Sequence, residues 1–135
     1  MAFFTPVFGY EFDDPNAPPT VGFGTVVEPP NDVFGFPTAS EHAAELQFLF
    51  NFETPLSPDE QQLAGEMKTY WGNFVNSGNP NLPRPVSFSF WLPFNFFGSV
   101  QNLIPGPKIP TPFFNFRQEH VCQTWQPFLA AETGE

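Results

Sequence analysis

The proton chemistry open to this chain rests on two histidines and a sparse set of carboxylates. His42 opens the run Ala43-Ala44-Glu45-Leu46-Gln47-Phe48, with the carboxylate of Glu45 three residues on. An imidazole that is neutral at pH 7 can accept a hydroxyl proton and return it to a leaving group. It needs a nucleophile on one nitrogen and an orienting carboxylate on the other. Two readings stand side by side. In one, His42 is a general base and Glu45 its orienter. In the other, His42 is a polar residue at a loop-to-helix junction, and Glu45 is a helix-face carboxylate or one held by backbone amides. The second cluster is Glu119-His120-Val121-Cys122. A closed metal site asks for four ligands of this kind and the others are missing, so an exposed His beside a half-buried Cys is expected, with no metal. Cys122 is the one cysteine, which excludes a disulfide within the chain. No serine stands in a Gly-x-Ser-x-Gly elbow, and neither a phosphate-binding loop with Lys nor a dinucleotide fingerprint occurs. No cofactor is expected.

Composition bounds the partners. Fourteen Asp and Glu against four Lys and Arg give a net charge of −10. That leaves no basic patch to neutralise phosphates or to meet an anionic membrane surface. Neither nucleic acid nor membrane is an expected partner. No apolar run exceeds four residues, against the ~18 a bilayer span needs. The N-terminus lacks the basic region and apolar stretch of a secretory signal, so a soluble chain is expected. Pro 18 and Gly 10 make up about a fifth of the 135 residues, well above the usual ~12%. The 20 Phe, with Leu, Val and Ile, exceed a quarter of the chain, above the ~20% level that flags disorder. One small domain is expected, its core built mainly from Phe and interrupted by Pro.

The elements follow from local patterns. Phe8, Tyr10 and Phe12 alternate on one face of a strand over about 5–12, closed by Asp13-Asp14-Pro15-Asn16. A Pro-rich loop covers 15–41, and a short helical turn near 40–46 leads into Phe48-Leu49-Phe50. The clearest element is a helix over about 58–76. Ser57 and Glu60 form a capping box, Pro58 takes the first position, and Gly78 with Pro80 stops the helix. Its apolar stripe is Leu63, Ala64, Met67, Tyr70, Trp71, Phe74 and Val75. The Pro/Phe-rich stretch 82–116 predicts one short strand at Val86, Phe88 and Phe90, confined to an edge by its flanking prolines. A closing segment runs over about 117–130.

Four blocks of the chain resemble the type-B carboxylesterases, the α/β-hydrolases that include cholinesterases and bacterial para-nitrobenzyl esterases. Pro6-Val7-Phe8-Gly9-Tyr10-Glu11-Phe12 is similar to that family's Pro-Val-aromatic-x-Tyr-x-Phe strand. His42-Ala43-Ala44-Glu45-Leu46-Gln47-Phe48-Leu49-Phe50 resembles its His-Gly-x-Glu segment. Leu56-Ser57-Pro58-Asp59-Glu60-Gln61, with Tyr70-Trp71-Gly72-Asn73-Phe74 through Gly78-Asn79-Pro80-Asn81, resembles the helix that follows. Phe116-Arg117-Gln118-Glu119-His120-Val121-Cys122-Gln123-Thr124-Trp125 resembles the closing motif.

The resemblance implies an α/β fold: the C-terminal portion of a single carboxylesterase domain. It would hold one or two strands of the central sheet, a His loop over about 37–45, the long amphipathic helix and an irregular Pro/Phe-rich end. It implies that His42 is the general base of a serine esterase acting on carboxylic esters. Glu45 falls on the family's buried glutamate, a supporting group and not the triad acid. The triad order Ser, acid, His places nucleophile and acid ahead of this chain, which is therefore expected to be inactive alone. Cys122 falls on a cysteine that pairs, in several members, with one further upstream. Where the family has Gly beside the His, this chain has Ala43, and a side chain that kept φ negative would re-aim the imidazole. The strand over Val7 to Phe12 is expected to lack both neighbours, leaving the chain marginally stable. The partners implied are an ester substrate in the complete enzyme and the N-terminal remainder of the domain. The alternative is a non-catalytic, acidic, Phe-rich esterase-like module that binds other proteins.

Overall fold

Ser57 and Glu60 close the capping box that the sequence predicts. The Ser57 hydroxyl accepts from the Glu60 amide at 3.4 Å and the Glu60 carboxylate accepts from the Ser57 amide at 2.5 Å. The resulting helix, α2, runs Pro58–Ser77 and ends at Gly78, whose φ of 71° needs no Cβ and whose amide reaches the Phe74 carbonyl at 2.7 Å. The computed structural model describes residues 5–18, 42–50, 55–85, 88–94 and 98–125. The predicted 15–41 loop lies mostly outside these residues, as do the first part of the 37–45 His loop and the end of the closing segment.

Leu63, Ala64, Met67 and Tyr70 are the buried stripe of α2. The stripe is narrower than its spacing predicts, because Phe74 and Val75 face outward. The short helix α1, Leu46–Leu49, lays Phe48 into the same core, joined by Ala17, Ala44, Trp91 and Leu103.

Strand β1 is Tyr10–Phe12, shorter than the predicted 5–12. It pairs in parallel with β2, Ser99–Leu103, in the register Tyr10↔Gln101, Glu11↔Asn102 and Phe12↔Leu103. β2 pairs antiparallel with the two-residue β3, Thr111–Pro112, which runs into α3, Phe113–Glu119. The sheet order among the described residues is thus β1-β2-β3. This corrects one expectation: the first strand has one neighbour inside the chain, β2. Among the described residues the second strand is at 99–103, and the one expected at 86–90 is only partly described. Of the latter segment, Val86 and Ser87 lie outside the described residues, and 88–90 are in no strand. The Tyr70 hydroxyl donates to the Ser89 carbonyl, and the backbone of Trp91 is held at both ends by the Asn81 side chain at 2.8 Å. Side chains occupy the backbone groups a ladder would have used.

Polar burial ties the periphery together. Lys108, on the connection from β2 to β3, reaches the carboxylate of Glu66 on α2, and both side chains are buried. Asp14 is 1% exposed, accepts from the Asn16 amide at 2.9 Å, and shares a hydrogen bond with Glu60, itself buried. Burial, chiefly, and the nearby Glu60 raise the Asp14 carboxyl above the ordinary carboxylate range. The folded state therefore binds the proton more tightly than the unfolded one. Stability contributed by Asp14 is present at low pH and lost as pH rises through the raised value. Asp14→Asn, neutral at every pH and still able to donate to Glu60, is expected to flatten the decline as pH rises above about 4. Urea midpoints across that range measure it, and parallel wild-type and variant curves would overturn it.

Candidate functional site

His42 is exposed at the start of a turn over 42–45 that delivers the chain into α1. The turn closes through the Leu46 amide on the Ala43 carbonyl at 3.1 Å, and the Glu45 carbonyl then accepts from Phe48 at 3.0 Å and Leu49 at 3.2 Å. Its decisive torsion is at Ala43, where φ is 69°. This is the left-handed region that glycine enters freely and that costs an L-residue about 1–2 kcal/mol. The expectation that Ala would hold φ negative is corrected: the backbone takes the positive φ despite the Cβ, and the residues that follow, Ala44 and Phe48, are seated in the core at 0% exposure. Ala43→Gly relieves the torsion but adds freedom to the unfolded chain. A net stabilisation of about 0.5–1 kcal/mol is expected by urea denaturation. A loss of stability would show that the turn is not strained.

Glu45 is half-buried and caps α1, and among the described residues no hydrogen bond joins it to His42. Its side chain lines a cavity of about 390 Å³ with Tyr10, Leu49, Phe50, Lys68 and Trp71. The Tyr10 phenol there is raised above its ordinary pKa, first by burial and then by the Glu45 charge. The structure thus brings Glu45 toward Tyr10, a pairing the sequence does not suggest because the two are far apart along the chain. His120 and Cys122 behave as expected from their setting: His120 is exposed and Cys122 half-buried with a free thiol. Among the described residues no three of His, Cys, Asp and Glu gather to hold a metal, and no helix is long and apolar enough to cross a membrane.

A second hollow, about 340 Å³ and almost wholly apolar, lies between Val7, Phe8, Tyr10, Trp71, Phe74 and Trp91. Its rings meet edge to face, Phe8 with Trp91 at 6.3 Å and Tyr10 with Trp71 at 5.2 Å. His42 lines neither hollow. The imidazole is therefore presented outward, on a turn fixed by the core beneath it.

The chain matches the sequence profile of the carboxylesterase family over residues 2–103. Among curated proteins it is similar to a bile salt-activated lipase of Mus musculus, 36% identical over 59 residues that make up 41% of this chain and 10% of that protein. It is similar to carboxylesterase 4A of Bos taurus, 36% identical over 81 residues, 56% of this chain and 12% of that protein. It is also similar to an acylcarnitine hydrolase of Mus musculus, 31% identical over 81 residues, again 56% and 12%. The matched stretch spans about a tenth of the length of these relatives.

Proposed function

The chain belongs to the carboxylesterase family, and from that premise we propose that it is the C-terminal portion of a serine carboxylesterase and supplies the general-base imidazole for hydrolysis of carboxylic esters. Membership carries the α/β-hydrolase fold, of which the described residues hold a three-stranded sheet with its helices. The names of the relatives, lipase and carboxylesterase among them, support an ester as the substrate class.

The observation that carries the reading is the His42 turn. An outward-facing imidazole stands on a rigid turn whose left-handed residue occupies the place of the family's Gly. In the complete site, His42 takes the proton of a Ser hydroxyl as it attacks the ester carbonyl, then protonates the departing alcohol. Glu45 stands at the N-terminal boundary of α1, three residues on, as a supporting group and not the triad acid. Nucleophile and acid come from the remainder of the domain, and the chain alone is inactive. Mixing the chain with the separately expressed N-terminal portion of a carboxylesterase is expected to generate hydrolysis of a para-nitrophenyl ester, which neither part shows alone. Turnover by the isolated chain above an identically prepared His42→Ala control would overturn the claim that its catalytic partners lie elsewhere.

A further inference from the structure

The sheet has two faces, and the long helix backs only one. On that face Tyr10 meets Trp71 of α2 at 5.2 Å and Phe12 meets Phe48 of α1 at 5.0 Å. Strand alternation turns Glu11 to the other face. There its Oε1 lies 2.7 Å from Nε2 of His120, the residue that caps α3. None of the residues of α3 is buried. Its start is attached through the Phe113 ring, 4.9 Å from that of Phe94, and the Phe113 amide on the Gly98 carbonyl at 3.1 Å. Among the described contacts, its far end is held to the sheet through His120 and Glu11.

We propose that this contact is a proton-controlled clasp: charging the imidazole draws the C-terminal end of α3 onto the outer face of β1, and neutralising it lets that end loosen. Three features of the geometry respond to the same charge. The Glu11 carboxylate turns a hydrogen bond into an ion pair. The Phe116 ring, 4.3 Å from that of His120, attracts a cation over its face. The last carbonyls of α3 converge on His120, whose amide bonds the Phe116 carbonyl at 3.0 Å, and a helix C-terminus favours positive charge. The other charged groups nearby are Glu119 and Arg117 on α3 and Asp13 just past β1. Arg117 is turned over the Phe113 ring and Lys108 is engaged with Glu66, so neither supplies a competing cation to Glu11. The clasp is therefore closed while the imidazole is charged and weakened once it is neutral.

Hydrogen–deuterium exchange on the full 135-residue chain tests this, reading the amides at 116–120 against those of α2 in the same sample so that intrinsic rates and global opening cancel. The α3-to-α2 protection ratio is expected to be about two- to fivefold higher at pH 5.5 than at pH 8. In His120→Gln, which keeps a side-chain amide in place of the titrating ring, the ratio is expected to be independent of pH, and in Glu11→Gln its pH dependence is expected to be reduced. An unchanged wild-type ratio overturns the proposal without recourse to any variant. So does a pH dependence that survives in His120→Gln, which would pass the effect to the neighbouring carboxylates. The outcome is independent of the esterase reading, since it involves neither His42 nor catalysis.

Discussion

In an esterase reconstituted by mixing the chain with the separately expressed N-terminal portion of a carboxylesterase, His42→Ala is expected to lower kcat for ester hydrolysis by about 10²–10⁴-fold. The size follows from the role proposed. One imidazole performs both proton transfers, out of the nucleophile and into the leaving alcohol, and methyl can perform neither. Because those transfers belong to the transition state, the loss is expected in kcat with KM little altered. The exposed position of His42 also argues that the effect reads chemistry and not folding: the side chain is outside the core, and surface substitutions away from special features usually cost within about 0.5 kcal/mol. Equal urea midpoints for wild type and variant check that point. Full activity in the His42→Ala reconstitution would remove the base assignment.

The features legible in the sequence are those whose causes are local. The α2 helix is written in Ser57, Pro58, Glu60 and Gly78, each acting within one turn of itself. β2 is different. Ser99-Val100-Gln101-Asn102-Leu103 alternates without a clear apolar face and buries Gln101 at 1% exposure. What makes it a strand is the parallel register with Tyr10–Phe12, roughly ninety residues away, and no short window contains that information. Val86 to Phe90 shows the converse. Its alternation is the better strand signal, yet among its described residues Tyr70 takes the Ser89 carbonyl, and Asn81 takes the backbone of Trp91 just beyond. The site divides the same way. His42 is singled out by motif, whereas the positive φ of Ala43 beside it is visible only in the structure. Glu11 and His120 are both visible as residues, but their meeting depends on how α3 leaves β3.

The largest loss of stability is expected from Trp91→Ala, about 3–5 kcal/mol. That is a large fraction of the 5–15 kcal/mol a small domain commonly has. Trp91 is 4% exposed and sits where the first strand, α2 and the Pro/Phe-rich segment converge. Its ring lies 6.3 Å from that of Phe8, 6.0 Å from Tyr10, 5.0 Å from Tyr70 and 5.7 Å from Trp71, and its Nε1 donates to the Gly9 carbonyl at 3.0 Å. Truncation removes the shared partner of four rings and opens the core into the apolar hollow those rings line. The neighbouring structure has little means to collapse, since Asn81 pins the backbone of residue 91 on both its amide and its carbonyl. Trp91→Phe keeps most of the ring contacts and loses the bond to Gly9, whose carbonyl still accepts from the Gln101 amide at 3.0 Å, so a cost of only about 1–2 kcal/mol is expected. Phe114→Ala on the exposed side of α3 is the control, expected within about 0.5 kcal/mol of wild type. Urea transitions followed by circular dichroism rank the three. If Trp91→Ala unfolded no more easily than Phe114→Ala, the aromatic cluster would not be what joins the strand to the helix.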